Sequence, residues 1–388
     1  MFVFEVLIYA FFAWVMYGLA RKSYIRTLNT NRQYKMDRYL WMFIGFYVLI
    51  CAVRYGVGVD SIKYASAFKH GEKYIGKQNE GEFIWNGFIS IIAENGIHFT
   101  VGMAICAFLQ ILPIVLILRT QKHVLRYLPI VLFGSMYFLI LNNGVRQMIV
   151  ACWFLYATKW IVERKILNYI FFILISHYIH SSSIVLVPLY FLYNVGELSS
   201  KRKLCISILL ACLVIGVVPQ FQLSIGRFED IMEMIGYDSY TDRMAEALLG
   251  ENENKQAFGL QKMSYFISFF AITYFGKELN ETYKYENKYF NIWWFYGFCY
   301  GCLYFLIGGR SYLFQRPLMY IVLFSMIMIS YLLKYLKHKA GIQSDIMSKF
   351  LIVSMWLSIS WQIIKAMDLR KSETETVTYK TIINHDIK

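Results

Sequence analysis

Long apolar stretches separated by short polar connections run almost the whole length of the chain. They occupy about residues 2–20, 39–53, 97–118, 127–142, 147–163, 166–180, 183–196, 203–220, 262–276, 289–307, 317–335 and 349–366. A bilayer core of ~30 Å takes roughly 20 residues of helix, and fewer where a helix is shared with a protein interior. The pattern therefore predicts an all-α, polytopic membrane protein with about 12 transmembrane helices. Residues 82–95 (EFIWNGFISIIAEN) carry an acid near each end and are too short to cross comfortably, so they read as an interfacial or re-entrant amphipathic helix. The expected organisation is one transmembrane domain over 1–367, with outer-face loops at about 54–96 and 221–261, and a polar C-terminal tail over 368–388. No internal repeat of the length that marks solenoids is visible.

Composition sharpens this class. The chain is 58% hydrophobic and 16% charged with a mean hydropathy of +0.45. Soluble domains average about 45–50% apolar and about 25% charged residues, which argues against a water-soluble enzyme. A net charge of +14 would ordinarily suggest nucleic acid. Here, however, about 22 of the 39 Lys and Arg residues sit in the connections after the first, third, fifth, seventh, ninth and eleventh stretches. Basic residues concentrated in alternate short loops orient a membrane protein. No nucleic-acid partner is expected; the partner is the lipid bilayer, those connections are cytoplasmic, and both termini face outside. The first stretch has no basic segment ahead of it, and Arg21, Lys22 and Arg26 follow it, so it reads as an uncleaved membrane helix. All seven cysteines lie in apolar stretches, so no disulfide framework is implied, and Cys299-x-x-Cys302 without a second pair reads as packing.

That topology collects polar residues at the outer ends of helices. Arg54, Asp60 and Tyr64 follow the second stretch; Asn143, Arg146 and Gln147 form a very tight hairpin; His177 and His180-Ser-Ser-Ser183 follow the sixth; Arg310 and Arg316 precede the eleventh. A single Arg at a helix end also serves as a snorkelling anchor. Yet outer loops should be poor in Arg, and ionisable residues at the membrane boundary are costly. His177 and His180 lie one turn apart, but no acid stands near them in sequence to complete a metal site, and no metal or other cofactor is expected. Gly56 and Gly58 lack the strand and GK[ST] of a phosphate loop. Arg cannot lose its charge and grips phosphate oxygens bidentately, so several arginines at headgroup depth suit an anionic lipid-linked substrate, with a His as general base toward a hydroxyl.

The ordered motifs are similar to those of the EpsG family of bacterial polysaccharide proteins, related to Wzy-like polymerases. They are R-x-G-x-G-x-D-x3-Y at Arg54 to Tyr64, the acidic start at Glu82, N-x-x-R-Q at Asn143 to Gln147, H-x-S at His180 to Ser182, and a late Arg leading a Tyr-bearing helix, Arg316 and Tyr320, with Arg310 competing for that place. The resemblance implies a GT-C-like glycosyltransferase of the bacterial inner membrane with its active site on the outer, periplasmic face. Such a polymerase of exopolysaccharide or O-antigen type transfers a growing glycan from undecaprenyl diphosphate to a lipid-linked repeat unit. On that reading Arg146 and Arg316 clamp the diphosphate, with Arg54, Arg310, Gln147, Asn143 and Tyr64 around them. His180, or failing it Asp60, deprotonates the acceptor hydroxyl, while Arg54 and Asp60 alternatively form an ion pair fixing the first outer loop. Expected partners are an undecaprenyl-diphosphate-linked oligosaccharide, a chain-length regulator and a flippase. Rival readings are a lipid-glycan ligase, and a non-enzymatic flippase or transporter.

Overall fold

The computed structural model describes residues 2–30, 35–54, 57, 60–71, 81–194, 197–218, 259–308, 316–339 and 341–368. Arg310, Gly56, Gly58, the 221–261 loop up to residue 258 and the tail beyond Asp368 lie outside the described residues. Every described element is helical, and among these residues there is no strand. The order is α1 (Phe2–Thr30), α2 (Arg38–Val53), α3 (Ser61–His70), α4 (Phe83–Glu94), α5 (Phe99–Leu118), α6 (Lys122–Leu125), α7 (Leu128–Gly134), α8 (Tyr137–Asn143), α9 (Val145–Val162) and α10 (Ile166–Ile179). Two 3-10 helices follow, Ser181–Asn194 and Leu198–Ser200, and then α11 (Arg202–Gly216). The remainder is α12 (Leu260–Tyr274), α13 (Gly276–Tyr283), α14 (Phe290–Leu303) with a π turn at Tyr304–Gly308, α15 (Val322–His338) and α16 (Ile342–Asp368).

Among the described residues, four helical segments are long and apolar enough to cross a membrane: Val3–Thr30, Phe99–Leu118, Phe290–Ile307 and Ile342–Ile364. A fifth is counted if Lys122–Gly134 and Tyr137–Asn143, bent by 75°, form one broken span. The chain is thus an all-α membrane protein. Helices α9 and α15 are buried along most of their length and form its centre, as expected of helices apolar all round. By contrast α1, α10 and α16 turn large apolar side chains outward, among them Trp14, Leu167, Phe171 and Phe350, and these suit contact with lipid.

Two elements differ from the continuous helices that hydropathy suggests. The stretch 127–142 breaks at Ser135, whose extended backbone separates α7 from α8. There Trp356 packs so close to Gly134 that a Cβ would lie 2.8 Å from its indole nitrogen. Where the stretch 183–196 is described it forms the 3-10 helix Ser181–Asn194 rather than an α-helix; that helix opens on three serines and contains Pro188, which has no N–H to donate to a regular ladder. The acid-flanked segment is helix α4 itself. Its 12 residues span about 18 Å, too short to cross. It buries Trp85, Ile89 and Ile92 and exposes Phe83, Ile84 and Ile91.

Side-chain contacts divide the molecule into two ends. At one end, the basic connections are joined to one another. Asp37 caps α2 through the N–H groups of Tyr39 and Leu40 and accepts from Ser23 (2.6 Å) and Lys122 (2.9 Å). Gln121 donates to the Glu286 carbonyl, Lys288 pairs with Glu163, Arg202 with Glu278, Lys284 with Glu197, and Arg126 meets His338. All six basic connections belong to this network. The Lys165 and Lys288 hydrogen bonds hold the Glu163 carboxyl down at about 2. At the other end sit the polar residues described next.

A second, smaller apolar core supports that other end. It joins Ala67 and Phe68 of α3, Trp85, Ile89 and Ile92 of α4, Phe99, Met103 and Cys106 of α5, and Val145 and Ile149 of α9. Phe68 lies flat over Gly102, where a Cβ would stand 2.9 Å from its ring. The result is a short shelf, α3 with α4, seated against the start of α9.

Candidate functional site

At the edge of that shelf Glu82 immediately precedes α4, and its side chain is 2% exposed. Three segments distant in sequence converge on it. From α9, the Arg146 guanidinium donates Nη1–H to Oε2. From the connection after α10, His180 Nδ1 lies 2.9 Å from Oε1. Ser181 donates its backbone N–H to the same oxygen at 3.0 Å. A buried carboxylate is tolerated only when charge and hydrogen bonds replace its hydration, and here both do. The packing explains the convergence. Trp85, three residues on, is held in the second core and carries the Arg146 guanidinium 5.9 Å from its ring centroid. Tyr64 of α3 meets the Trp85 ring edge-on at 5.7 Å and pairs with the same guanidinium. The His180 N–H closes the end of α10 on the Ser176 carbonyl (2.8 Å), which brings its ring back toward Glu82.

Charge states follow from these surroundings. Burial alone pushes the Glu82 carboxyl up; the His180 hydrogen bond, the Arg146 charge and the Ser181 N–H outweigh it and hold the group below the usual carboxylate range. Burial pushes the His180 imidazole down, against the pull of Glu82, and the nearby charges of Arg146 and Arg316 push the same way. Both directions favour a carboxylate beside a neutral imidazole. A carboxylate only accepts, so Nδ1 carries the proton and Nε2 keeps its lone pair.

The remaining polar residues form a scaffold around this trio. Gln147 donates to the Arg316 backbone carbonyl, fixing the lead-in to the eleventh apolar stretch beside α9. Ser182 and Tyr320 share a buried hydrogen bond of 2.7 Å. Asn143, the last residue of α8, accepts the Asp60 N–H at 3.2 Å. Asp60 itself pairs with Lys63 at 3.5 Å rather than with Arg54. Arg54, 3% exposed, turns inward and donates to the Asn142 carbonyl at 3.4 Å. A cation at the C-terminal end of α8 sits where the backbone carbonyls of a helix are unsatisfied. The expected Arg54–Asp60 ion pair is therefore not formed, because each residue has another partner. His177 donates Nδ1–H to the Ser181 carbonyl at 3.1 Å, in an exposed bond.

Of the residues expected at the site, the structure gathers Tyr64, Arg146, Gln147, His180 and Arg316 around Glu82, and sets Arg54, Asp60 and Asn143 against the break between α8 and α9. Glu82 is the member whose role the sequence did not reveal. It stood out as the acid opening the segment 82–95 and as one of the ordered motifs, with no task assigned, since its partners lie 64, 98 and 99 positions away. Among the described residues no three His, Cys, Asp or Glu side chains converge as metal ligands.

The motifs that meet here are ordered along most of the chain, and a family model spans the same region. The EpsG family model matches residues 37–381. The chain belongs to the EpsG family. No curated protein and no solved structure matches it. As an EpsG-family member it is an exopolysaccharide-related membrane protein, and the Glu82 cluster is the candidate site within it.

Proposed function

We propose that this EpsG-family protein is a polysaccharide polymerase of the bacterial inner membrane, a GT-C-like bundle of about twelve crossings working at the outer face. The observation that carries the reading is the ordered Glu82–Arg146–His180 cluster beside Arg316, at the end of the molecule away from the basic connections. Basic connections favour the cytoplasmic side, which supports a cluster at the outer leaflet, where a lipid-linked diphosphate presents its charge.

The reaction joins the acceptor sugar hydroxyl of one lipid-linked repeat unit to the anomeric carbon of a glycan carried on undecaprenyl diphosphate. The new C–O bond forms as the bond to the diphosphate oxygen breaks, and undecaprenyl diphosphate leaves already ionised. The hydroxyl proton passes to His180 Nε2. Arg146 and Arg316 supply fixed positive charge where negative charge grows on the leaving group, aided by the positive dipole end of α9. Gln147 keeps the Arg316 backbone in register with α9. A deletion strain tests this: single repeat units accumulating on lipid support a polymerase, whereas long unattached chains on lipid identify a ligase.

A further inference from the structure

We infer that Glu82 is the positioning residue of this site: it holds His180 as the Nδ1–H tautomer and turns Nε2 toward the acceptor hydroxyl. The inference rests on the polymerase reading and adds to it a residue with a distinct task.

Glu82 is unsuited to act as the base itself. Its carboxylate is almost fully buried, Oε2 is engaged by Arg146, and Oε1 accepts from His180 and from the Ser181 N–H. A carboxylate so buried, with both oxygens held, is poorly placed to reach a substrate hydroxyl. Its geometry suits orientation instead. The bond to Nδ1 fixes which nitrogen is protonated, and the bond to the next residue's N–H fixes the backbone that carries the ring. Arg146 anchors the other oxygen, so the carboxylate cannot swing away. When Nε2 takes the hydroxyl proton, the adjacent negative charge stabilises the imidazolium, and no proton passes to Glu82. This is the logic of a carboxylate-oriented histidine base, where loss of the carboxylate costs rate by leaving the wrong tautomer. The charged groups facing His180 are Glu82 from the segment before α4, Arg146 from α9 and Arg316 before α15, with His177 one turn back on α10.

Two measurements on the full-length protein test the inference. The first reads polymerisation against pH in proteoliposomes, using lipid-linked repeat units extracted from a polymerase-deletion strain. Glu82→Gln keeps the shape and removes the charge. It should lower the turnover rate roughly 10²–10⁴-fold and move the acid limb of the profile to lower pH, because a His180 imidazolium without its counter-charge releases its proton more readily. Glu82→Asp should recover part of the rate and restore the limb toward the wild-type position. A merely structural Glu82 would leave the limb of the surviving activity unmoved, and that result overturns the inference while leaving the polymerase reading standing. A wild-type protein that never polymerises fails the functional reading instead. The second measurement needs neither activity nor a folded variant at position 82. Nitrogen NMR of histidine-labelled wild-type protein, with His180→Gln to assign the signal, should show His180 as the neutral Nδ1–H tautomer at about pH 7.5; an Nε2–H tautomer overturns the inference.

Discussion

Glu82 and His180 meet at 2.9 Å although 98 positions separate them in the chain. The bond joins the segment before α4 to the end of α10. It can form only because the α3–α4 shelf is seated on α5 and α9 by the second core. The geometry of the candidate site is thus a consequence of how a non-crossing helix packs.

His180→Ala should leave an inserted protein at normal abundance and stop chain growth, since removal of a general base lowers rate by ~10²–10⁴. His177→Ala and Asp60→Asn should be mild. His177 bonds only a backbone carbonyl, and the Asp60 carboxylate pairs with Lys63. Glycan length on gels from complemented deletion strains, beside membrane blots, reads all three.

Acid should loosen the site. Below the ordinary imidazole value of 6.5 the unfolded chain binds a proton at His180 that the folded site resists. Below the ordinary carboxyl value of 4.5 the same holds for Glu82. Both folded values are depressed, so the stability these groups contribute is present at neutral pH and lost as pH falls through that window. Thermal unfolding of the detergent-solubilised protein should therefore weaken on acidification, and less steeply in a His180→Gln, Glu82→Gln double variant.

Much of this architecture is written in hydropathy. The ends of α2, α5, α9 and α10 fall within about two residues of the apolar stretches, because lipid and core alike select apolar side chains over such runs. The basic connections were legible because their charges stand between apolar stretches. Helix α3 was not: its sequence, SIKYASAFKH, is too polar to register as a span, and its stability comes from Phe68 packing on Gly102. Nor was the break between α7 and α8, since apolar residues continue on both sides of it. At the site, Arg146, His180 and Arg316 stood out by residue type. Glu82 was legible as a motif residue, but its task comes only from the partners that three-dimensional packing brings to it.

Arg146→Lys should be expressed and inserted yet make little or no polymer. The ammonium keeps the charge but loses the planar fork that spans Glu82 and Tyr64 and lies over Trp85. Arg146→Ala should in addition destabilise the fold, by about 3–5 kcal/mol, because it leaves a buried carboxylate without its cation. Wild-type chain lengths from the Lys variant would reduce Arg146 to a membrane anchor.

Chelation should not abolish activity. In the proposed reaction Arg146 and Arg316 provide the positive charge at the diphosphate, and Glu82 is already bound by Arg146, His180 and Ser181. Magnesium is normally held through carboxylates open to it. Polymerisation by purified protein should survive EDTA; loss of activity restored by Mg²⁺ or Mn²⁺ would argue for a metal-assisted reaction.

The most direct measurement supplies the purified protein in proteoliposomes with undecaprenyl-diphosphate-linked single repeat units, and follows both glycan length and released undecaprenyl diphosphate. A polymerase yields a ladder of lengthening lipid-linked glycans with one undecaprenyl diphosphate freed per added unit, and the His180→Ala protein yields neither. Repeat units that cross the bilayer unchanged in length, with no undecaprenyl diphosphate released, would contradict the account and make the protein a transporter.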